Sequence, residues 1–241
     1  MRRGDGTAKT ERLLREGTLT LEGRLVYASN ASFLGAVTLD GETARCIYKP
    51  IAGERPLDDF PDGTLAYREV AAYLVSEASG WDVAPPTVFR EDGPYGPGMA
   101  QLWIDVDEAV DVGELLTADD PRLRRIATFD AVVNNTDRKG GHLLPAHDGR
   151  LLGVDHGVCF SSYPKLRTIL WGWRGQPFAP DELEALRTVR AALDGDLGRA
   201  LRGLLSRAEV RATIARVERL LADGTFPFPN PRWPAVPWPP F

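Results

Sequence analysis

Several classes of protein are set aside by what this 241-residue chain has little of. It holds two cysteines, Cys46 and Cys159, each inside an apolar stretch, so no disulfide framework is expected and both read as buried thiols. Its three histidines do not combine with them at zinc-ligand spacing, which argues against structural zinc. No apolar run approaches the roughly 18 residues of a membrane span. The basic start, Met1-Arg2-Arg3, has no apolar segment behind it and does not read as a signal peptide. The formal charge of -5, from 29 basic and 34 acidic residues, gives no general attraction for nucleic acid or an anionic membrane. Also absent are internal repeats, coiled-coil heptads, a Walker motif and a Gly-x-Gly-x-x-Gly loop. The expectation is a soluble cytoplasmic protein without stable membrane insertion, and oligomeric state is left open.

What is present is a 43% hydrophobic composition, enough for a sizeable core, and an ordered series of chemically loaded turns. Residues 1–10 read as loose, followed by a short helix from Thr10 to Glu16. Strands are expected over Thr20–Leu25, Phe33–Leu39 and Ala44–Pro50, with Asp40-Gly41 as a turn. A helix follows over Leu65–Ser79, ended by Gly80. Pro85–Arg90 reads as an edge strand and Met99–Ile104 as another. A composition shift near 105 divides the chain into residues 1–104 and a mainly helical 105–241. In that second part Asp120-Pro121 opens a helix, and a short hairpin spans Leu143 to Val154. Further helices are expected over Asp181–Leu193 and Ser206–Leu221, the latter with a Ser206/Glu209 capping box. The last residues, Phe226 to Phe241, read FPFPNPRWPAVPWPPF and cannot be helical. An extended tail is expected there, packed on its own domain or on a partner, or disordered.

The chemistry concentrates in Asn134-Asn135-Thr136-Asp137-Arg138-Lys139 and in Asp155-His156-Gly157. Asp137 sits where a carboxylate accepts the proton of a hydroxyl or orients it, with Asn135 orienting the loop and Arg138 and Lys139 stabilising charge on transferring oxygens. Asp155, at a strand end beside glycine, suits magnesium. His142 is a metal ligand, a phosphate contact or a brace. Lys49 at a strand end and Glu69 on the following helix form a lysine–carboxylate clamp for phosphate oxygens. Ser29, Asn30 and Ser32 lie in a polar turn able to cover phosphates. Gln101 and Trp103 fall on the segment that would connect the lobes and meet adenine. Trp171 and Trp173 are candidate walls of an acceptor pocket.

Taken in order, these residues resemble the protein-kinase-like superfold. They are more similar to its phosphatidylinositol 3-/4-kinase branch and to HipA-type bacterial kinases. Asn135-Thr136-Asp137-Arg138 resembles the catalytic loop of type II phosphatidylinositol 4-kinases. The whole chain, from Tyr27-Ala28-Ser29-Asn30 to the Trp-Pro-Pro ending, resembles an actinobacterial family of phosphatidylinositol-kinase-like proteins. The resemblance implies an α+β, two-lobed fold with a small mixed β lobe and a mainly helical second lobe. It implies ATP with Mg2+ (or Mn2+) as cofactors, Lys49 on the α/β-phosphates and paired with Glu69, Asp137 in the catalytic-loop role and Asp155 as principal magnesium ligand. Ser29 to Phe33 would cover the phosphates and Met99 to Trp103 would be the hinge. His142 falls where this superfold usually has a second metal-binding asparagine, and His156 replaces the centre of the usual Asp-Phe-Gly. Imidazole is a poorer magnesium ligand than oxygen, which puts a two-metal site in question. The expected activity is transfer of the γ-phosphoryl group to a hydroxyl of a protein or soluble metabolite. A nucleotide-binding pseudokinase, an adenylyl transferase and a phosphatidylinositol-type lipid kinase are the alternatives.

Overall fold

The computed structural model describes residues 3–25 and 30–241. Its element order starts with helix α1 (Arg3–Glu16) and strands β1 (Thr18–Arg24), β2 (Phe33–Leu39) and β3 (Glu42–Pro50). Helix α2 (Leu65–Ser79) precedes β4 (Thr87–Arg90) and β5 (Gly98–Leu102). The second half runs α3 (Val112–Leu115), α4 (Pro121–Val133), β6 (Leu143–Pro145), β7 (Leu151–Gly153), α5 (Pro180–Asp194), α6 (Asp196–Leu204) and α7 (Arg207–Asp223). A small mixed β lobe is thus followed by a mainly helical lobe, the α+β arrangement expected from the sequence.

The five-stranded sheet is antiparallel throughout, in the order β1-β2-β3-β5-β4. Because side chains alternate across a strand, β3 serves two layers. Cys46 packs with Leu14, Val37, Val88 and Ala100 beneath α1. Lys49 lies on the other face, opposite Met99 of β5, and Met99 packs against Ala66 and Val70 of α2. The amino-terminal helix corrects the expectation of a loose start. It begins at Arg3, because Leu13 and Leu14 gain burial on the sheet, while Gly17 ends it with its N–H on the Leu13 carbonyl.

Helix α2 joins the two lobes. Its Ala71, Ala72 and Val75 belong to the large core built from α4, α5, α6 and α7. Arg68 is buried there too, donating to Glu209 (2.6 Å) and to the Cys159 carbonyl (2.9 Å). Helix α4 starts as its residues dictate. The Asp120 carboxylate accepts from the Arg122 N–H, and Pro121 occupies the first turn. It ends at Asn134 in the left-handed conformation (φ 52°). The carboxy-terminal stretch after Phe226 runs without helix or strand along residues 164–171, in contact with its own domain.

Candidate active site

The site lies between the sheet and the helical lobe, where four local structures deliver one side chain each. β3 ends at Pro50 and presents Lys49. α2 presents Glu69, the turn after α4 presents Asp137, and the turn after β7 presents Asp155. The Lys49 ammonium sits 2.7 Å from Glu69 Oε1 and 2.8 Å from Asp155 Oδ1. Burial alone would lower the lysine's pKa, but the two carboxylates outweigh it and raise it. The same lysine holds the Asp155 carboxyl well below the ordinary carboxylate range. Both groups are therefore charged at neutral pH. Glu69 has a second task, accepting the His156 backbone N–H on Oε2 (2.9 Å), so α2 fixes the lysine and the Asp155 turn together.

Asp155 has a positive φ (62°), tolerated better by aspartate than by most residues. The turn aims its half-exposed carboxylate into the cleft. Its Oδ2 lies 3.4 Å from His142 Nε2. The Lys139 backbone N–H donates to His142 Nδ1 (3.4 Å). Burial keeps this imidazole neutral by lowering its pKa, and the Lys139 contact leaves its proton on Nε2, facing Asp155. His142 Nε2 thus stands beside the carboxylate, 3.4 Å from it, in the arrangement observed. Among the described residues no group of three or more His, Cys, Asp and Glu forms a metal cage. One carboxylate with room beside it fits magnesium, which commonly takes one or two protein carboxylates and draws its other ligands from phosphates and water.

The neighbouring basic residues part company. Arg138, expected to face transferring oxygens, is fully buried, and its Nη2 lies 2.8 Å from the equally buried Asp130. The guanidinium also donates to the Val154 carbonyl (3.0 Å) and to His156 Nε2 (2.7 Å). It ties the Asp137 loop to the Asp155 turn from behind. Lys139 is the cation that reaches the cleft, 3.3 Å from Asp137 Oδ2. Asn135 is likewise interior, donating to Asp130 Oδ1 (3.0 Å) and accepting the Asp137 N–H (2.9 Å). It positions the loop and does not touch the cleft. Asn134 clamps the following segment through the carbonyls of Ser161 and Tyr163. His156, read as a replacement at the centre of Asp-Phe-Gly, is wholly buried with its ring edge-on to Phe129. Burial, then the nearby Arg138 charge, pushes its pKa down; it is a neutral acceptor for Arg138, and its Nδ1 has no hydrogen-bond partner among the described residues.

Two cavities meet at these groups. The larger, about 720 Å³, has an apolar side formed by Leu25, Ile47, Leu102, Ile104, Val106, Leu144 and Val154. Its polar end is Lys49, Asp137, Lys139, His142 and Asp155. The smaller, about 340 Å³, opens past Arg55, Leu57, Leu65 and Val158, and shares Asn30, Lys49, Asp137 and Asp155 with the first. Of the residues read as covering phosphates, Asn30 lines both cavities and its Oδ1 accepts the Arg55 N–H (2.9 Å). Ser32 lines the larger one, and Ser29 lies outside the described residues.

The segment expected as the hinge begins within a strand and continues past its end. Met99 to Leu102 lie inside β5, paired with β3 and, as far as Gln101, with β4. The N–H groups of Leu102 and Trp103 already donate to Pro86 and Arg45 carbonyls. Residues 103–105 then run without helix or strand. Gln101 and Trp103 still line the large cavity, the first tethered to Thr87 Oγ1 (2.8 Å) and the second to Asp105 (2.8 Å). Trp171 and Trp173 are not walls of either cavity. Trp173 is in the helical core and Trp171 donates to the Ala235 carbonyl.

The fold and its cleft define a protein-kinase-like protein. The chain belongs to the actinobacterial family that includes Protein Rv2133c of Mycobacterium tuberculosis, with 44% identity over 95% of this chain and 94% of that protein. It is 26% identical to phosphatidylinositol 4-kinase gamma 7 of Arabidopsis thaliana over 63% of this chain, and spans 28% of that longer relative. Among solved structures, the Golgi casein kinase with Mn/ADP bound superimposes with a TM-score of 0.62 at 14% identity, covering 91% of this chain and 75% of that one. No protein-family model matches the chain. No helix among the described residues is long and apolar enough to cross a membrane.

Proposed function

We propose that the chain is an ATP-dependent phosphotransferase that moves the γ-phosphoryl group to a hydroxyl of a protein or soluble metabolite. The observation that carries this reading is the convergence of Lys49, Glu69 and Asp155 within 2.8 Å contacts at the seam of two cavities that Asp137 also lines. The larger cavity has the volume and apolar lining for a nucleoside, and its charged end would receive the phosphates. The acceptor then reaches Asp137 through the smaller cavity, past Arg55. Asp137 orients the hydroxyl and takes up its proton, while Lys49 and Lys139 balance charge on the phosphate oxygens. Asp155 would hold a magnesium ion, whose part is to neutralise phosphate charge.

His142 favours a second reading, a nucleotide-binding pseudokinase, because an imidazole N–H beside Asp155 is a donor where a second oxygen ligand would otherwise stand. ATP labelled separately at the α and γ positions, incubated with Mg2+ or Mn2+ and a small-molecule-depleted lysate, separates the readings. The phosphotransferase moves the γ label, and Asp155→Ala abolishes that transfer. Retained α label with pyrophosphate release replaces it by adenylyl transfer. Nucleotide bound but left intact across protein and metabolite fractions favours the pseudokinase.

A further inference from the structure

The large cavity has one wall that comes from neither the sheet nor the catalytic loop. Pro239 and Phe241 line it beside Lys139, Gly141 and His142. They arrive on a strap held along its length. Asn230 Nδ2 donates to the Pro164 carbonyl (2.9 Å), and Lys165 Nζ lies 4.5 Å from the centre of the Trp233 ring. Arg167 Nε donates to the Pro234 carbonyl (3.1 Å), while the Thr168 N–H and the Trp171 indole both donate to that of Ala235 (3.1 and 2.9 Å). At the far end the Gly140 N–H donates to the Pro240 carbonyl (2.8 Å). Seven prolines in the last 15 residues lower the entropy lost in holding so extended a path.

The ring of Phe241 rests on Gly140, between Asp137 and His142. A methyl group at Gly140 would lie 2.1 Å from Phe241 Cε1 and 2.3 Å from Cδ1. Glycine is thus required at this point for the ring to lie against the loop. Phe241 is nevertheless 63% exposed. An aromatic side chain held in place from one side, bare on the other, and lining an apolar-to-polar cavity is an unfilled contact surface.

We propose that the strap is part of the nucleotide site, with the Phe241 ring as a wall against the base and sugar of the bound nucleotide. This rests on the phosphotransferase reading and names a residue for it outside both lobes' cleft-forming elements. Alanine in place of an aromatic that meets a base weakens binding measurably, and a loss of about tenfold, equivalent to ~1.4 kcal/mol, is expected here.

The test is calorimetric titration of the full chain with Mg·ADP. Phe241→Ala is expected to bind about tenfold more weakly, and Phe241→Trp, which keeps an aromatic face, to stay within about threefold of wild type. Gly140→Ala, which drives the ring off the loop from the other side, reproduces the Phe241→Ala loss. Trp238→Ala, on the same strap but 86% exposed and outside the cavity lining, leaves the affinity unchanged. Equal or tighter binding by Phe241→Ala, with wild type binding normally, overturns the wall while leaving the phosphotransferase reading in place. An equal loss in Trp238→Ala also overturns it, because the strap would then act only through general packing. Failure of wild type to bind Mg·ADP at all removes the phosphotransferase reading and this inference with it.

Discussion

The most exacting consequence of the structure concerns Asp130, a carboxylate in the interior of α4 that never reaches the cleft. It and Arg138 are both 0% exposed, and three N–H···O contacts of 2.8–3.2 Å join them. Asp130 also accepts from Asn135 Nδ2 and from the Thr168 hydroxyl. Asp130→Asn preserves shape and one carbonyl oxygen but leaves the Arg138 cation buried without its counter-charge. Breaking a buried pair in this way costs about 3–5 kcal/mol. For a chain of this size each kcal/mol shifts Tm by about 2–4 °C, so a fall of roughly 6–20 °C is expected at neutral pH in scanning calorimetry. The companion Asp130→Asn/Arg138→Met removes both charges and should recover part of that loss, a coupling of about 0.5–3 kcal/mol. Turnover should fall in both variants, since Asn135, which accepts the Asp137 N–H, loses its charged partner in each. A drop of less than about 3 °C in Asp130→Asn, or strict additivity in the double variant, would refute the argument, for it would mean that Arg138 is compensated without Asp130.

Three further outcomes follow from the same geometry. Glu69→Gln takes the charge from the group that holds Lys49 and the His156 N–H, and displacement of the lysine should lower kcat for γ-phosphoryl transfer by about 10²-fold; an unchanged rate would show that Asp155 alone places Lys49. Burial raises the Cys46 thiol to about 11, above its ordinary value of 9.0. A raised value gives stability that is complete below the ordinary thiol range and is lost as pH climbs toward about 11, at up to ~1.4 kcal/mol per pH unit. Cys46→Ala should therefore flatten the alkaline limb of a denaturant-stability profile, and the native thiol should resist Ellman's reagent at pH ~8 until the protein unfolds. Finally, both Asp155 oxygens face donors, Lys49 at one and His142 at the other. Millimolar Mg2+ alone should leave Tm unchanged, whereas Mg2+ with ADP should raise it, and chelation should reverse the gain; a shift with the metal alone would contradict this.

Much of the architecture is written locally in the sequence. Leu65–Ser79 and Phe33–Leu39 have the observed bounds because their signals are short-range: a glycine stop at Gly80, a tight Asp40-Gly41 turn and closely spaced apolar residues. The first helix was less legible because Arg3–Glu16 has two glycines and little intrinsic preference, and is held by the sheet that forms after it. For the site, Lys49, Glu69, Asp137 and Asp155 could be named because each stands at the end or on the face of an element. What the sequence does not carry is the side of the chain a residue turns to within a loop. Arg138 and Lys139 are adjacent, yet one turns inward to Asp130, the Val154 carbonyl and His156 while the other reaches Asp137. A visible signal existed for Asp130, an acid among Ile126, Ala127, Phe129, Ala131 and Val132, where an unpaired charge would be too costly to bury. The Phe241 contact was not legible, since it joins Gly140 to a residue far along the chain.

The same logic explains why α2 has adjacent residues with opposite duties. Arg68 is locked into the helical lobe by Glu209, which also closes the capping box at the start of α7, and by the Cys159 carbonyl. Glu69, one position on, faces the cleft and holds Lys49 and the Asp155 turn. A rotation of α2 that released Glu69 would drag a buried guanidinium from its only described carboxylate. The cost of that separation, several kcal/mol for a buried pair, sets this helix in the position in which Lys49 and Asp155 meet. Placement of the lysine is therefore a property of the helical lobe as much as of the strand that bears it, and its distance to Asp155 depends on an ion pair outside the cleft.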